Sequence, residues 1–175
     1  MSNKIFSAIE FGSAREKKAF FSMVIIMLIM LGFDLWSKFA VMNNFKIYES
    51  REVIPGFFAL TYVTNPGAAW GMFAGKQYFL LAISLIVFAG AIVFLRKITE
   101  GYIERYWALG LLFAGILGNS FDRIFHGEVV DFLDCYVVIS NHAYHWPVFN
   151  IADVAICCGV GIFILSTLIR GEKKA

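Results

Sequence analysis

Five aspartates are the residues of this sequence best suited to chemistry. They are Asp34, Asp122, Asp131, Asp134 and Asp153. All five lie near the ends of long apolar stretches or in the connection between the last two stretches. A carboxylate close to a membrane is costly unless it is paired, hydrated or protonated, so each aspartate is a candidate functional residue.

Asp131 and Asp153 are the strongest candidates for catalysis, because they come from opposite ends of one connection. Asp131 lies in the apolar segment VVDFL, and Asp153 lies about one turn into a helix expected to begin near Phe149. Two carboxylates that meet at a low-dielectric boundary share one proton. The ionised member then activates water while the protonated member polarises a carbonyl, as in aspartic proteases.

Structural interpretations of the same aspartates stay open at this point. Asp153 would cap its helix or pair with Arg123, and Asp131 would be a solvated loop carboxylate. For Asp134 the solvated loop is the favoured interpretation.

Polar residues near these aspartates are candidates for positioning the site. Asn119, Asp122 and Arg123 share one face if their helix continues, and Asn150 shares a face with Asp153 three residues later. Arg123 would neutralise Asp122, bind backbone carbonyls of an extended peptide, or do both.

Two further segments are candidates for supporting the site. Asp34 and Lys38 are four residues apart, a spacing that suits an ion pair at the membrane interface, and a structural role is favoured for them. Residues 64–71 are small and polar, so they predict a tight turn that brings Asn65 or the backbone around Gly67 to a ligand. A plain re-entrant turn is the alternative.

The composition predicts a membrane protein. Hydrophobic residues make up 59% of the 175 positions, against about 45–50% in a typical soluble domain. The net charge of +2 gives nucleic-acid binding no electrostatic support. We predict one integral membrane domain, 1–175, with four transmembrane helices at about 19–42, 78–95, 106–121 and 149–169.

The distribution of basic residues predicts the orientation, with both termini in the cytoplasm. The predicted cytoplasmic segments hold ten of them: Lys4, Arg15, Lys17, Lys18, Arg96, Lys97, Arg105, Arg170, Lys173 and Lys174. The other side holds five: Lys38, Lys46, Arg51, Lys76 and Arg123. The connections at about 43–77 and 122–148 then face outward, and residues 52–63 predict a small β-rich cradle on the outer membrane surface.

Glycines and cysteines add predictions about packing. Gly110, Gly115 and Gly118 in the third span and Gly159 and Gly161 in the fourth predict close approach of these two helices, unless they only reflect the general abundance of glycine in membrane helices. The three cysteines, which are Cys135, Cys157 and Cys158, are interpreted as packed free thiols.

A metal site is the main chemical alternative to an aspartate pair, and it is disfavoured. His126, His142 and His145 lie in the second outer connection, but the chain has no H-E-x-x-H motif. A serine hydrolase is poorer still, because G-x-S-x-G is absent.

Five ordered motifs resemble those of bacterial lipoprotein signal peptidase, also called signal peptidase II. The motifs are DLWSK from Asp34, TNPGAAWG from Thr64, GNSFDR from Gly118, GEVVDF from Gly127 and FNIAD from Phe149. The resemblance implies an aspartic endopeptidase of the bacterial cytoplasmic membrane, without metal or other cofactor. Its active site would lie on the outer face.

The resemblance also implies a substrate and residue roles. The substrate would be a diacylglyceryl-modified prolipoprotein in the membrane, cleaved before its lipidated cysteine. Asp131 and Asp153 would be catalytic. The other residues carried over by motif would bind substrate or support the site, and they are Asn65, Gly67, Asn119, Arg123, Asn150, Asp34, Lys38 and Asp122.

Two other function classes compete with a peptidase. A small proton-coupled carrier would also use membrane aspartates, but it would normally place them near the midplane on several helices. A non-catalytic membrane adaptor would tolerate loss of Asp131 or Asp153.

Overall fold

The computed structural model describes residues 13–68 and 72–171. Within them the elements run in this order: α1 (Ala14–Asn44), β1 (Ser50–Ile54), β2 (Phe58–Asn65), α2 (Gln77–Val93), α3 (Leu95–Thr99), α4 (Ile103–Phe125), β3 (Val129–Ile139), β4 (His142–His145) and α5 (Ile151–Gly171). Lys4, Lys173 and Lys174, which entered the orientation prediction, lie outside the described residues.

Three of the described helices are long and apolar enough to cross a membrane, namely α1, α4 and α5. Helix α2 coincides with the second predicted span and is apolar, but its 17 residues are slightly short of the usual length. The part of the chain that the structure describes therefore contains three to four apolar helices.

Helices α1 and α4 are longer than the spans predicted for them, because a cap or a charge partner stabilises the extra residues. Helix α1 begins at Ala14, where the Ser13 hydroxyl accepts a hydrogen bond from the Glu16 amide at 3.2 Å. Helix α4 includes Arg105 and Asp122, the two charges taken as the limits of the third span. Both are buried in ion pairs, so neither ends the helix.

Small residues allow α4 and α5 to pack closely. Gly115 lies against the Ala152 carbonyl and Ile156, and Gly159 lies against the Ala108 carbonyl. The predicted close approach is confirmed at these two positions. Gly110 instead contacts Met23 of α1, and Gly118 contacts both Asp34 of α1 and Ala152 of α5. No described atom lies within 4 Å of a Cβ built at Gly161.

Replacing Gly115 with alanine is expected to lower the free energy of unfolding by about 1–3 kcal/mol, because the new methyl group overlaps backbone of α5. Gly161→Ala is the matched control in the same helix pair, and it should be neutral or slightly stabilising. Thermal unfolding in detergent measures both variants. Equal stability of the two variants would contradict this packing.

A four-stranded antiparallel sheet with strand order β1-β2-β3-β4 joins the two long connections. The predicted strand character is confirmed as a hairpin, whose turn contains Pro55 and Gly56 at φ +74°. Strand β2 pairs with β3 so that Val63 lies opposite Asp131. The buried side chains of Val41, Tyr62 and Val130 connect the sheet to α1. The sheet thus fixes β3 against the helices.

Candidate active site

Asn150 connects the two aspartates predicted to be catalytic. It immediately precedes α5, and its side-chain oxygen accepts a hydrogen bond from the Asp153 amide at 2.9 Å. The Asp153 carboxylate accepts one from the Asn150 amide at 3.3 Å, which completes a reciprocal helix cap. The Asn150 side-chain nitrogen also donates to Asp131 Oδ1 at 2.7 Å. One fully buried asparagine therefore holds both carboxylates.

Asp131 lies on β3 and is 2% exposed, so its interpretation as a solvated loop carboxylate is wrong. Its second oxygen accepts a hydrogen bond from the Asn65 side chain at 3.0 Å. Burial raises the pKa of Asp131 to about 7, and the negative charge of Asp153 adds to this effect. Hydrogen bonds from Asn65 and Asn150 act in the opposite direction.

Asp153 lies in the first turn of α5 and is only partly buried. The Asn119 side chain donates a hydrogen bond to Asp153 Oδ1 at 2.8 Å. The helix-cap interpretation is correct for the other oxygen, which faces Asn150. The cap orients the carboxylate and leaves it at the wall of a cleft.

Behind the aspartate pair, Lys38 is buried among polar groups from two helices. Its ammonium lies 2.9 Å from Asp34, 2.8 Å from Asp122 and 3.0 Å from Asn119 Oδ1. The predicted Asp34–Lys38 ion pair is confirmed. Asp122 also pairs with Lys38, so Arg123 is not the cation that binds it in the described structure.

This ion-pair cluster anchors the two elements that carry the candidate catalytic residues. Asp34 accepts a hydrogen bond from the Ala152 amide at 2.8 Å, at the start of α5. Asp122 accepts one from the Val130 amide at 3.1 Å, next to Asp131. The cluster therefore sets the relative position of β3 and α5.

Arg123 binds backbone carbonyl groups of this chain. Its guanidinium donates to Asn119 at 3.3 Å and to Gly67 at 3.1 Å. The Gly67 amide in turn donates to Asn65 Oδ1 at 2.9 Å, which closes the predicted tight turn. Positions 69–71 of that predicted turn lie outside the described residues. Arg123 thus fastens the turn to α4 beside Asp153.

A cleft of about 530 Å³ opens beside the two aspartates. Six of the predicted site residues line it, Gly67 among them, and the full lining is Asn65, Gly67, Ala68, Asn119, Arg123, Val129, Asp131, Trp146, Pro147, Val148, Phe149, Asp153, Val154, Ile156, Cys157 and Cys158. Asn150 and the Lys38 cluster lie behind this surface. The cleft has a polar end at the aspartates and an apolar wall along α5.

The sequence interpretation missed the segment 146–149 and the two cysteines as parts of the cleft. Cys157 follows Asp153 by four residues, so helical spacing was a usable signal for it. The segment 146–149 offered no comparable signal, because long-range backbone bonds to β3 place it. Trp146 donates to Cys135, and Phe149 donates to Leu133.

The favoured interpretation of Asp134 as a solvated loop carboxylate is wrong. The residue lies on β3, is 4% exposed, and accepts hydrogen bonds from Thr61 and His145, each at 2.7 Å.

The other two histidines of this connection have different neighbours. His142 contacts the Ser140 carbonyl, and His126 packs edge-on against Phe121. Within 13–68 and 72–171, no group of three or more His, Cys, Asp or Glu side chains is arranged to hold a metal ion.

Apolar helices, a small sheet and two linked aspartates, one buried and one partly buried at a cleft, are features that suit a membrane-integral peptidase. The comparison with known families is consistent with that class. The sequence model of the family described as Signal peptidase (SPase) II matches residues 26–169. The chain belongs to the signal peptidase II family, and it is a bacterial membrane peptidase.

Curated relatives and solved structures agree with this assignment. The lipoprotein signal peptidase of Actinobacillus succinogenes is 40% identical, with 91% of this chain and 98% of that protein covered. The lipoprotein signal peptidase of Bacillus pumilus is 39% identical over 85% of this chain and 94% of that protein. A bacterial membrane enzyme solved by the in meso method at 2.3 Å is 36% identical, with a TM-score of 0.80 over 88% of this chain and 92% of that chain.

Proposed function

We propose that this chain cleaves diacylglyceryl-modified prolipoproteins immediately before the lipidated cysteine, with Asp131 and Asp153 as its catalytic pair. The observation that carries the proposal is the Asn150 bridge, which holds two carboxylates of different burial at one cleft. Family membership supports the class of substrate, because the relatives are named lipoprotein signal peptidases. The catalytic roles rest on the geometry.

The different surroundings of the two aspartates suggest how they divide the chemistry. Asp131 is the more buried and has the raised pKa, so it holds the shared proton and donates it to the scissile carbonyl oxygen. Asp153 is more open to the cleft and stays ionised, so it removes a proton from the attacking water. When the tetrahedral intermediate collapses, Asp153 gives its proton to the leaving amine and the proton on the former carbonyl oxygen returns to Asp131, which restores the starting pair. These steps need only the two carboxyl groups and water.

The shape of the cleft suits a lipid-anchored peptide. Its polar end holds the aspartates, Asn65 and Arg123, while Ile156, Cys157 and neighbouring residues continue it along α5. The peptide would lie at the polar end. The acyl chains would stay in the bilayer beside the helices, so specificity for a lipidated cysteine needs no deep acyl pocket.

The proposal includes a topology for the whole chain as one four-span domain. Helix α2 would be the second of the four spans, both termini would be cytoplasmic, and the sheet and cleft would lie on the outer face. The sheet and the Lys38 cluster share one end of the helix bundle, whereas Arg105 and Arg170 pair with glutamates at the other end. That separation agrees with the distribution of basic residues.

The carrier and adaptor hypotheses are not favoured. The chain belongs to a peptidase family, and the described acidic pair lies at a helix end beside a sheet. A proton-coupled carrier would instead place such groups along a path near the midplane.

The decisive assay compares two substrates that differ only in the diacylglyceryl group. The wild type, purified in detergent or lipid, should release the signal peptide from the lipidated prolipoprotein, and mass spectrometry should find the new amino terminus at the modified cysteine. The unlipidated precursor is the matched control and should be cleaved far more slowly. A chelator should not change the rate. No cleavage by a well-folded wild type would overturn the proposal.

The raised pKa of Asp131 predicts a pH-dependent stability difference. An unfolded chain loses the Asp131 proton near pH 3.8, the ordinary pKa of the group, whereas the folded protein keeps it up to about pH 7. Across that pH range, Asp131 therefore contributes less to the stability of the folded state as the pH rises. Asp131→Asn removes the titration. The unfolding temperature of the variant relative to the wild type should therefore be higher at pH 8 than at pH 5. An unchanged or reversed difference would contradict the raised pKa.

A further inference from the structure

Asp134 and His145 form a hydrogen-bonded pair that lies outside the catalytic cleft and is held in place by several further contacts. Asp134 is buried on β3, whereas the His145 side chain is about half exposed at the end of β4. His145 Nδ1 lies 2.7 Å from Asp134 Oδ1, and the Thr61 hydroxyl donates to the other oxygen. Because both carboxylate oxygens accept, the Nδ1 atom carries the hydrogen of the His145 bond.

The pair is tied to every strand of the sheet. The Ser50 hydroxyl of β1 donates a hydrogen bond to Thr61 of β2 at 2.8 Å, since the Thr61 hydrogen goes to Asp134. The Tyr136 ring stacks on the imidazole of His145 with centroids 4.8 Å apart and an interplanar angle of 19°. The Tyr136 hydroxyl donates to Glu52 of β1. His145 is therefore held by contacts that reach across the sheet, although half of its surface is open.

The residues directly after His145 form one wall of the cleft. We call residues 146–149 the cleft rim, and all four of them line the cavity that contains Asp131 and Asp153. The rim is bonded to β3 near its two ends, through the Trp146 amide to Cys135 and through Phe149 to Leu133. Pro147, between them, has no amide hydrogen to give. The position of the rim thus depends on how its two ends are fixed.

We propose that His145 is a positioning residue for substrate binding, which acts by holding the amino-terminal end of the cleft rim through its hydrogen bond to buried Asp134. The rim is one side of the binding surface for the substrate segment next to the scissile bond. Asp131 and Asp153 are held separately, by Asn150, Asn65 and Asn119. Loss of the His145 bond therefore loosens the rim and weakens binding, while the catalytic pair stays in place. This inference rests on the proposed function.

Two substitutions separate the hydrogen bond of His145 from its ring stacking. His145→Phe keeps an aromatic ring on Tyr136 but removes the donor. His145→Asn keeps a nitrogen donor one bond from Cγ, where Nδ1 is, but removes the ring. His142→Phe is the matched control, because His142 lies on the same strand, is exposed, and its Nδ1 atom lies 3.2 Å from the Ser140 carbonyl, away from Asp134.

The measurement is KM and kcat for the lipidated prolipoprotein, together with the unfolding temperature of each variant. His145→Phe should raise KM about fivefold with kcat within about twofold of the wild type, since it loses a hydrogen bond to a charged group at a half-exposed site. His145→Asn should restore KM to within about twofold of the wild-type value, and His142→Phe should match the wild type.

Other outcomes overturn the inference in distinguishable ways. A lower kcat and unfolding temperature at unchanged KM would show that His145 only supports folding. If KM rose as much in His142→Phe as in His145→Phe, the effect would come from any change on β4, and the specific role of His145 would be refuted. Absence of cleavage by the folded wild type would remove the proposed function and this inference together. Normal wild-type cleavage with unchanged KM in His145→Phe would remove the inference alone.

Discussion

The rate of cleavage of the lipidated prolipoprotein is expected to fall about a thousandfold or more when either Asp131 or Asp153 is replaced by asparagine. The reaction needs both a general acid and a general base, and each variant lacks one of them. Asparagine preserves the size of each side chain, but it cannot take a proton from water or transfer one to the carbonyl oxygen. In Asp131→Asn the proton donor is lost, and in Asp153→Asn the base is lost. The effect should appear in kcat.

The double variant sharpens this prediction. Two residues that act as one unit do not lose activity additively, so Asp131→Asn with Asp153→Asn should be about as inactive as either single variant. Glu128→Gln is the matched control, since it removes a carboxylate three residues from Asp131 that does not line the cleft. It should retain wild-type activity. Substantial activity in either folded single variant would refute the dyad.

The second large effect is a loss of stability in Lys38→Met. Lys38 is 1% exposed and lies between Asp34 and Asp122, which are equally buried. Methionine fills a similar volume but leaves both carboxylates without their cation. Breaking a buried ion pair in this way typically costs about 3–5 kcal/mol. Activity should fall as well, because the two aspartates bind the backbone amides of Val130 and Ala152 beside the catalytic pair.

Thermal or denaturant unfolding in detergent tests the charge argument for Lys38. Lys46→Met is the matched control, because Lys46 is exposed and should tolerate the change. Adding Asp34→Asn and Asp122→Asn to Lys38→Met removes the unpaired charges and should recover part of the lost stability. Wild-type stability of Lys38→Met alone would show that the cluster does not anchor β3 and α5.

Local patterns in the sequence predicted much of the fold and part of the site. Runs of apolar residues predicted the long helices, and the Pro-Gly turn between β-branched segments predicted the β1–β2 hairpin. The spacing of four between Asp34 and Lys38 predicted their ion pair. Each of these depends on neighbours within a few residues, which a single sequence displays directly.

The boundaries and partners were harder to predict, because distant parts of the chain determine them. Arg105 and Asp122 resembled helix limits, yet ion pairs with Glu100 and Lys38 allow both to lie inside α4. Asp134 resembled a loop carboxylate until β2 and β4 enclosed it. A charged residue can lie buried within a helix or strand when the fold brings it a partner.

Apolar runs and short motifs were enough to predict a membrane protein of apolar helices that resembles signal peptidase II, and to select Asp131 and Asp153 as the pair to test. The folded structure was needed to find that Asn150 links the two aspartates, that Lys38 rather than Arg123 binds Asp122, and that residues 146–149 form the cleft wall. Most of these contacts join residues far apart in the chain, so their geometry exists only after the helices and the sheet have packed.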